Sequence, residues 1–566
     1  MSEKLHVSAQ DHAATFSKKM RTVALVVVSM AFVMDLLDST IVNIAIPSIQ
    51  MNLGASYSAI QWLIAGYALA FALLLVTGGR MGDVFGYKKI FMIGVGGFTI
   101  ASLLSGLAWN PASLVVARLL QGSMAAFMVP QAMSLVQVMY KPHERGAING
   151  LFGMLGGIAA SLGPIIGGLL IKANFFNSDW RPIFLINVPV GVFGLIAAAR
   201  YLPDGKSSHP LKLDISGTFI IVGAMLLLIF PLIEGRELGW PAWSLFMIAA
   251  ALPAFAFFAW WQRRKDRIGK TPLVLPALFK NRSFRVGLLI NLVFQSAMLG
   301  FFLTFGLLQQ IGFGYTPVHA ALTGLPVAIG IAFTMATLGS KLAPKLGRYA
   351  LTLGAVVMTC GLLITNAVAY HYALDTHSWQ LIPGLLIIGA GMGMVFGSLF
   401  AAVLNGVDPS HAGSASGTLN AVQQVGGAIG IALIGIVFFG QLSHGAAANF
   451  TKGEPQLRQN LTAQHVPAAA QTAIITGVKA CFVDRSREKD SSVVPASCKQ
   501  AMSQQTLSAQ LGASIGDAAK SANAHNFASA FRWSIYYSVG ILALTCMLTL
   551  FLPRHFRASK LPGVVA

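Results

Sequence analysis

Long apolar runs broken by short polar stretches set the pattern of this chain. A helix needs about 20 apolar residues to cross a hydrocarbon core. Fourteen runs reach that length, near 23–47, 58–79, 89–108, 112–136, 147–172, 182–202, 214–234, 243–262, 283–308, 317–340, 347–370, 379–405, 415–443 and 531–553. The pattern predicts an all-α membrane protein of 14 transmembrane helices. The apolar stretch after the polar start is too long for the core of a signal peptide and carries two aspartates. It reads as a retained first span.

The polar loops predict an orientation. Basic residues gather in the N-terminal tail (Lys4, Lys18, Lys19, Arg21), after span 2 (Arg80, Lys88, Lys89), after span 8 (Arg263 to Arg285) and after span 10 (Lys341, Lys345, Arg348). The loops after spans 1, 3, 9 and 11 hold no Lys or Arg. Basic loops stay on the cytoplasmic side. The expected location is the cell inner membrane, with both termini cytoplasmic.

The loop after span 2, GGRMGDVFGYKK from Gly78, aligns with GSKLAPKLGRYA from Gly339 at an offset of 261. Spans 1 and 9 start at nearly the same offset. Two six-span halves with two spans between them are therefore expected. The domain organisation reads as a tail (1–22), a first half (23–202), an inserted pair with a basic loop (203–282), a second half (283–553) and a tail (554–566). The second half includes a polar external loop, 444–530, holding Cys481 and Cys498. On an oxidising face these two are expected to pair.

Composition narrows the function. Of 566 residues 55% are apolar and 10% charged, against about 25% charged in a soluble domain. Mean hydropathy is +0.68. Soluble enzymes, disordered scaffolds and small disulfide-framed domains are excluded. The net charge of +20 sits in short loops without a nucleic-acid motif, so the expected partner is the lipid bilayer and not nucleic acid. No cluster of acids, histidines or cysteines suggests a metal site or a lipid-modifying enzyme.

Ionisable residues deep in a span are functional candidates. Asp35 and Asp38 lie in span 1, three positions apart, and so share one face to within about 60°. Arg118 lies in span 4 with Gln121 after it. Burial favours the neutral form of a carboxylate and a nearby Arg opposes this. The three residues together suit proton loading and release. The span 2 loop offers Gly79, Asp83, Gly86, Lys88 and Lys89. In span 5, Gly150, Gly163, Pro164, Gly167 and Gly168 permit bending and close packing.

LDSTIVNIAIP from Leu37, the Gly78 loop, Arg118-Leu-Leu-Gln-Gly122, the span 5 glycines and WRPIFLINVPVG from Trp180 resemble the major facilitator superfamily. More narrowly they resemble its fourteen-span drug:proton antiporters, the EmrB/QacA type. Val84 departs from that pattern, where a basic residue usually follows the aspartate. The resemblance implies proton-driven export of small amphipathic compounds by alternating access, with no cofactor beyond the proton gradient. It implies that Asp38 carries the proton, Asp35 modulates, and Arg118 tunes. It gives Asp83, Lys88, Lys89 and Arg145 a cytoplasmic gate, with Asp83 meeting the start of span 13 at Gly413–Asn420. A periplasmic adaptor is a conceivable further partner. The rival readings are a proton-coupled importer of the same fold, and a receptor or scaffold that uses 444–530.

Overall fold

The structure is a computed structural model. It describes residues 18–140, 142–206, 212–335, 337, 346–404, 407, 412–488, 494–503 and 509–553. Every regular element among them is helical. The first half holds α1 (Lys18–Leu53), α2 (Tyr57–Phe85), α3 (Tyr87–Gly106), α4 (Pro111–Met139), α5 (Pro142–Ala173) and α6 (Pro182–Tyr201). The inserted pair is α7 (Ile215–Glu237) and α8 (Ala242–Arg267). The second half holds α9 (Arg282–Leu307), α10 (Pro317–Thr334), α11 (Arg348–Tyr372), α12 (Ser378–Leu404) and α13 (Ala412–Ala463). After α14 (Ala468–Arg487) and α15 (Ala496–Ser503) it closes with α16 (Ala509–Thr549). Among the described residues, 13 helices are long and apolar enough to span a membrane. The remaining candidate is α5. Its described apolar stretch, Leu162–Ala173, is short, but the whole helix has 32 residues. At 1.5 Å per residue that exceeds a core of about 30 Å.

The end of the bundle where α1 begins is called proximal here, and the opposite end distal. Sharp turns fix the alternation. Gly86, between α2 and α3, has φ 102°, a conformation that a Cβ would strain. Asn110 caps α4 in a reciprocal capping box with Ser113, and Pro111 follows at the first helical position. The second copy of the loop motif, from Gly339, lies largely outside the described residues.

The 444–530 segment differs from the expected loop. Helix α13 runs on to Ala463, and α16 begins at Ala509. The Ala- and Gln-rich composition favours helix, and the segment has an apolar cluster of its own. Phe450, Leu457, Leu461, Ile474 and Ile475 are buried in it together with Ala522. A disulfide joins Cys481 of α14 to Cys498 of α15, closing a separation of 17 residues. Loop-closure entropy puts its contribution at about 3 kcal/mol, confined to this distal unit. Cys498→Ser should therefore raise protease sensitivity within 444–530 and leave transport rates unchanged, as limited proteolysis beside a flux assay would show.

Asp214 caps the inserted pair. It is 1% exposed, and its Oδ1 accepts from the Gly217 amide at 2.7 Å. Its Oδ2 accepts from the Leu273 amide at 3.0 Å and from Gln262 at 3.1 Å, and Lys265 forms an ion pair with it. Burial pushes this carboxyl up. The donors, Lys265 first, outweigh burial and hold it below the ordinary carboxylate value. The folded protein therefore binds this proton more weakly than the unfolded chain does. The contribution is fully present above the unfolded value of 3.8 and is lost as pH falls through the folded value. Asp214→Ala should cost at least about 1 kcal/mol, the worth of a cap. In paired thermal melts that difference should stay constant from neutral pH to about pH 4 and shrink in stronger acid.

The halves meet at the distal end. Gln61 of α2 donates to the Ile431 carbonyl of α13 at 2.7 Å, and Tyr57 stacks on Phe439 at 4.1 Å. Gly168 of α5 lies so close to α10 that a Cβ there would sit 3.0 Å from the backbone of Pro317 and Val318.

Candidate functional site

Five helices of the first half bring polar side chains to one buried point. From α1 come Asp35 and Asp38, 7% and 1% exposed. Arg118 and Gln121 come from α4, Tyr67 from α2 and Ser102 from α3. Asn187 arrives from α6 just past a break at Ile186. The α2–α4 approach depends on Gly122, because a Cβ there would stand 2.3 Å from the Tyr67 carbonyl. The approach lets Arg118 Nε reach the Leu63 carbonyl at 3.2 Å.

Asp38 is fully engaged. Its Oδ2 is ion-paired with Arg118 Nη1. Its Oδ1 accepts from Gln121 at 2.8 Å and from Asn187 at 2.9 Å. Both amides also reach Ser102 Oγ, at 3.2 and 3.0 Å, and Ser102 donates to the Phe184 carbonyl at 2.9 Å. Arg118 donates to Gln121 Oε1 at 2.8 Å. A buried carboxylate held by one guanidinium and two amides is compensated as an anion.

Asp35 stands differently. Among the described residues its partner is Tyr67, whose hydroxyl donates to Oδ1. The same Tyr67 ring lies under the Arg118 guanidinium, 4.2 Å from ring centroid to Cζ. Tyr67 therefore links the two carboxylates, through its hydroxyl to Asp35 and through its π face to the cation that holds Asp38. The structure thus brings Asp35, Asp38 and Arg118 together. Tyr67, Ser102 and Asn187 are absent from the sequence reading. A lone Asn inside the apolar run LINVPVG is a signal for Asn187. Tyr67 and Ser102 carry none.

The other predicted residues lie apart. Gly163 of α5 faces Thr40 of α1, where a Cβ would stand 2.0 Å from Thr40 Oγ1, and Gly167 faces Ile41 and Ile44. Pro164 lies inside α5. Gly79, Asp83, Gly86, Lys88 and Lys89 form the proximal α2–α3 turn. There Asp83 accepts from the Tyr87 hydroxyl at 3.0 Å, Lys88 stands 4.0 Å from Asp204, and Lys89 is exposed. The side chain of Arg145 and the surroundings of Gly150 lie outside what the structure describes.

The two glycine contacts differ in what must yield. At Gly122 the obstacle is backbone, and at Gly163 the nearest atom is a hydroxyl that can rotate. Gly122→Ala should cost about 1–3 kcal/mol by overpacking, and Gly163→Ala distinctly less. Melting temperatures of the two variants in detergent test the ranking.

The chain is 38% identical over 540 residues to a probable actinorhodin transporter of Streptomyces coelicolor, covering 95% of this chain and 93% of that protein. It is 33% identical to a puromycin resistance protein of Streptomyces alboniger, covering 74% and 81%. It is also 33% identical to a tetracenomycin C resistance and export protein of Streptomyces glaucescens, covering 73% and 75%. A bacterial homologue of the lysosomal transporter Spinster, solved in an inward-facing, unoccupied conformation, has the same fold. Its TM-score is 0.58 at 17% identity, with 95% of this chain and 98% of that chain covered. The model described as Major Facilitator Superfamily matches residues 28–431, and the chain belongs to that superfamily.

Proposed function

We propose that this chain exports small amphipathic compounds from the cell by proton-driven alternating access, its proximal end in the cytoplasm. The names of its relatives point to antibiotics and related toxic compounds as the substrate class. The observation that carries proton coupling is the unequal treatment of two buried carboxylates on one helix face.

Placing a proton on Asp38 means breaking an ion pair and turning two amide donors away from their acceptor. Placing one on Asp35 disturbs a single phenol contact, and the phenol can reverse its hydrogen bond and accept. Asp35 is therefore the proton carrier in this reading, and Asp38 with Arg118 is its fixed counter-charge. This reverses the roles expected from the sequence motif.

The coupling follows from the link through Tyr67. A substrate cation near Asp35 displaces its proton, and the Tyr67 ring shifts beneath Arg118. That shift changes how α1 and α4 are held together, which is the movement that alternating access needs. No bound cofactor enters this scheme. Energised inverted vesicles test it with ethidium as probe. Proton-dependent accumulation inside them supports export. Proton-dependent depletion would instead make the chain an importer.

A further inference from the structure

Two helices stand between the halves, and the transport scheme above assigns them nothing. We infer that Arg80 is a positioning residue that fastens the inserted pair to the α2–α3 turn, so that α7 and α8 travel with the first half. The functional side of this inference rests on the alternating-access reading. The fastening itself does not.

Arg80 is 5% exposed. Its Nη2 donates to the Pro272 carbonyl at 2.6 Å and to the Leu273 carbonyl at 3.0 Å, and its Nη1 reaches the Lys212 carbonyl at 3.4 Å. Lys212 comes just before α7, and Pro272 and Leu273 come just after α8. One guanidinium on α2 thus holds both ends of the insertion. Those ends also hold each other, because the Leu273 amide and Lys265 both bind Asp214 at the cap of α7. A planar fork with several N–H groups suits this task, whereas a lysine offers a single point of attachment.

The fastening continues along α2. Thr77 and Thr218 share a hydroxyl hydrogen bond of 2.8 Å. At the distal end Trp62 donates to Glu234 at 2.9 Å, and Ser58 donates from its amide and its hydroxyl to Glu237, each at 2.8 Å. Helix α7 is therefore held to α2 at both ends. Helix α7 also packs against α13 of the second half, where Arg236 lies over the Phe439 ring at 5.2 Å, but its hydrogen bonds with Trp62 and Thr77 tie it to α2.

The same clasp sets the gate turn. Arg80 is one helical turn before Asp83, and the Tyr87 amide after Gly86 donates to the Gly205 carbonyl at 2.8 Å. The turn is thus held between the segment that leaves α6 and the segment that leaves α8. In this arrangement the inserted pair braces the turn from outside the bundle.

Spin-label distances test the inference. Cys360 and Cys546 are first replaced by serine. Pairs of labels are then placed at Arg200 on α6, Arg267 on α8 and Leu353 on α11, all exposed positions. When the Arg200–Leu353 distance shifts between acid and alkaline buffer, the Arg200–Arg267 distance should stay fixed and the Arg267–Leu353 distance should shift. A fixed Arg267–Leu353 distance with a moving Arg200–Arg267 distance would overturn the inference. The second arm needs no transport. Arg80→Gln should spread the Arg200–Arg267 distribution toward longer distances in the resting protein, with Arg80→Lys recovering part of the loss. If Arg80→Gln does not fold, Arg80→Lys combined with Thr77→Val replaces it and should show the same spread. A distribution as narrow as wild type in the loosened variant would sink the positioning role. An Arg200–Leu353 distance that never moves would instead count against alternating access and leave this second arm to decide the fastening.

Discussion

Arg118→Ala should lower stability in detergent by about 3–5 kcal/mol, the cost of leaving one member of a buried ion pair without its partner. Asp38 would keep two amide donors and lose the cation it pairs with. The Leu63 carbonyl would lose a donor as well. Asp38→Asn combined with Arg118→Gln should recover a good part of the loss, because no charge is then left buried alone. A double-mutant cycle on thermal or denaturant midpoints measures this coupling. If Arg118→Ala costs no more than the double variant, the pair does not act as a compensated unit. The premise that Asp38 is fixed as an anion would then fail. Transport should be lost in both variants, since each removes the counter-charge that makes Asp35 responsive.

The sequence made the spans legible because hydrocarbon imposes a single rule on length and polarity. It made Asp35, Asp38 and Arg118 legible for a related reason. A charge inside a span is costly enough to stand out against its apolar surroundings. Tyr67 and Ser102 were not legible. Both residue types are ordinary in membrane helices, and only the crossing of α2 and α3 with α1 and α4 gives them partners. The distal unit was misread as a loop because polarity there marks exit from the membrane and not loss of helix. Helices α13 and α16 cross that boundary without breaking. Arg80 was read only as an orientation signal. Its role depends on the carbonyls of Lys212, Pro272 and Leu273, which lie more than a hundred residues away in the chain.

The assignment of the two aspartates yields the other large effect. Asp35→Asn should abolish substrate-induced proton release from purified protein, while Asp38→Asn should leave release measurable and lower stability. The reason is local. An amide at position 35 can still accept from the Tyr67 hydroxyl, so the fold should survive while the exchangeable proton is gone. An amide at position 38 must meet three donors, Arg118, Gln121 and Asn187, with one oxygen and an NH₂ group that repels them. The energetic scale comes from the gradient. One elementary charge moving through 100 mV is worth about 2.3 kcal/mol, which corresponds to roughly a 50-fold concentration ratio. An Asp35→Asn exporter in energised vesicles should therefore lose accumulation by about that factor per coupled proton. Counterflow of a neutral substrate, which needs no net proton movement, should continue. Tyr67→Phe separates the relay from the carrier. It keeps the ring beneath Arg118 and removes the hydroxyl, so proton release should persist with its pH midpoint displaced. Release that survives Asp35→Asn and disappears with Asp38→Asn would return the carrier role to Asp38 and make the ion pair seen here the deprotonated half of the cycle.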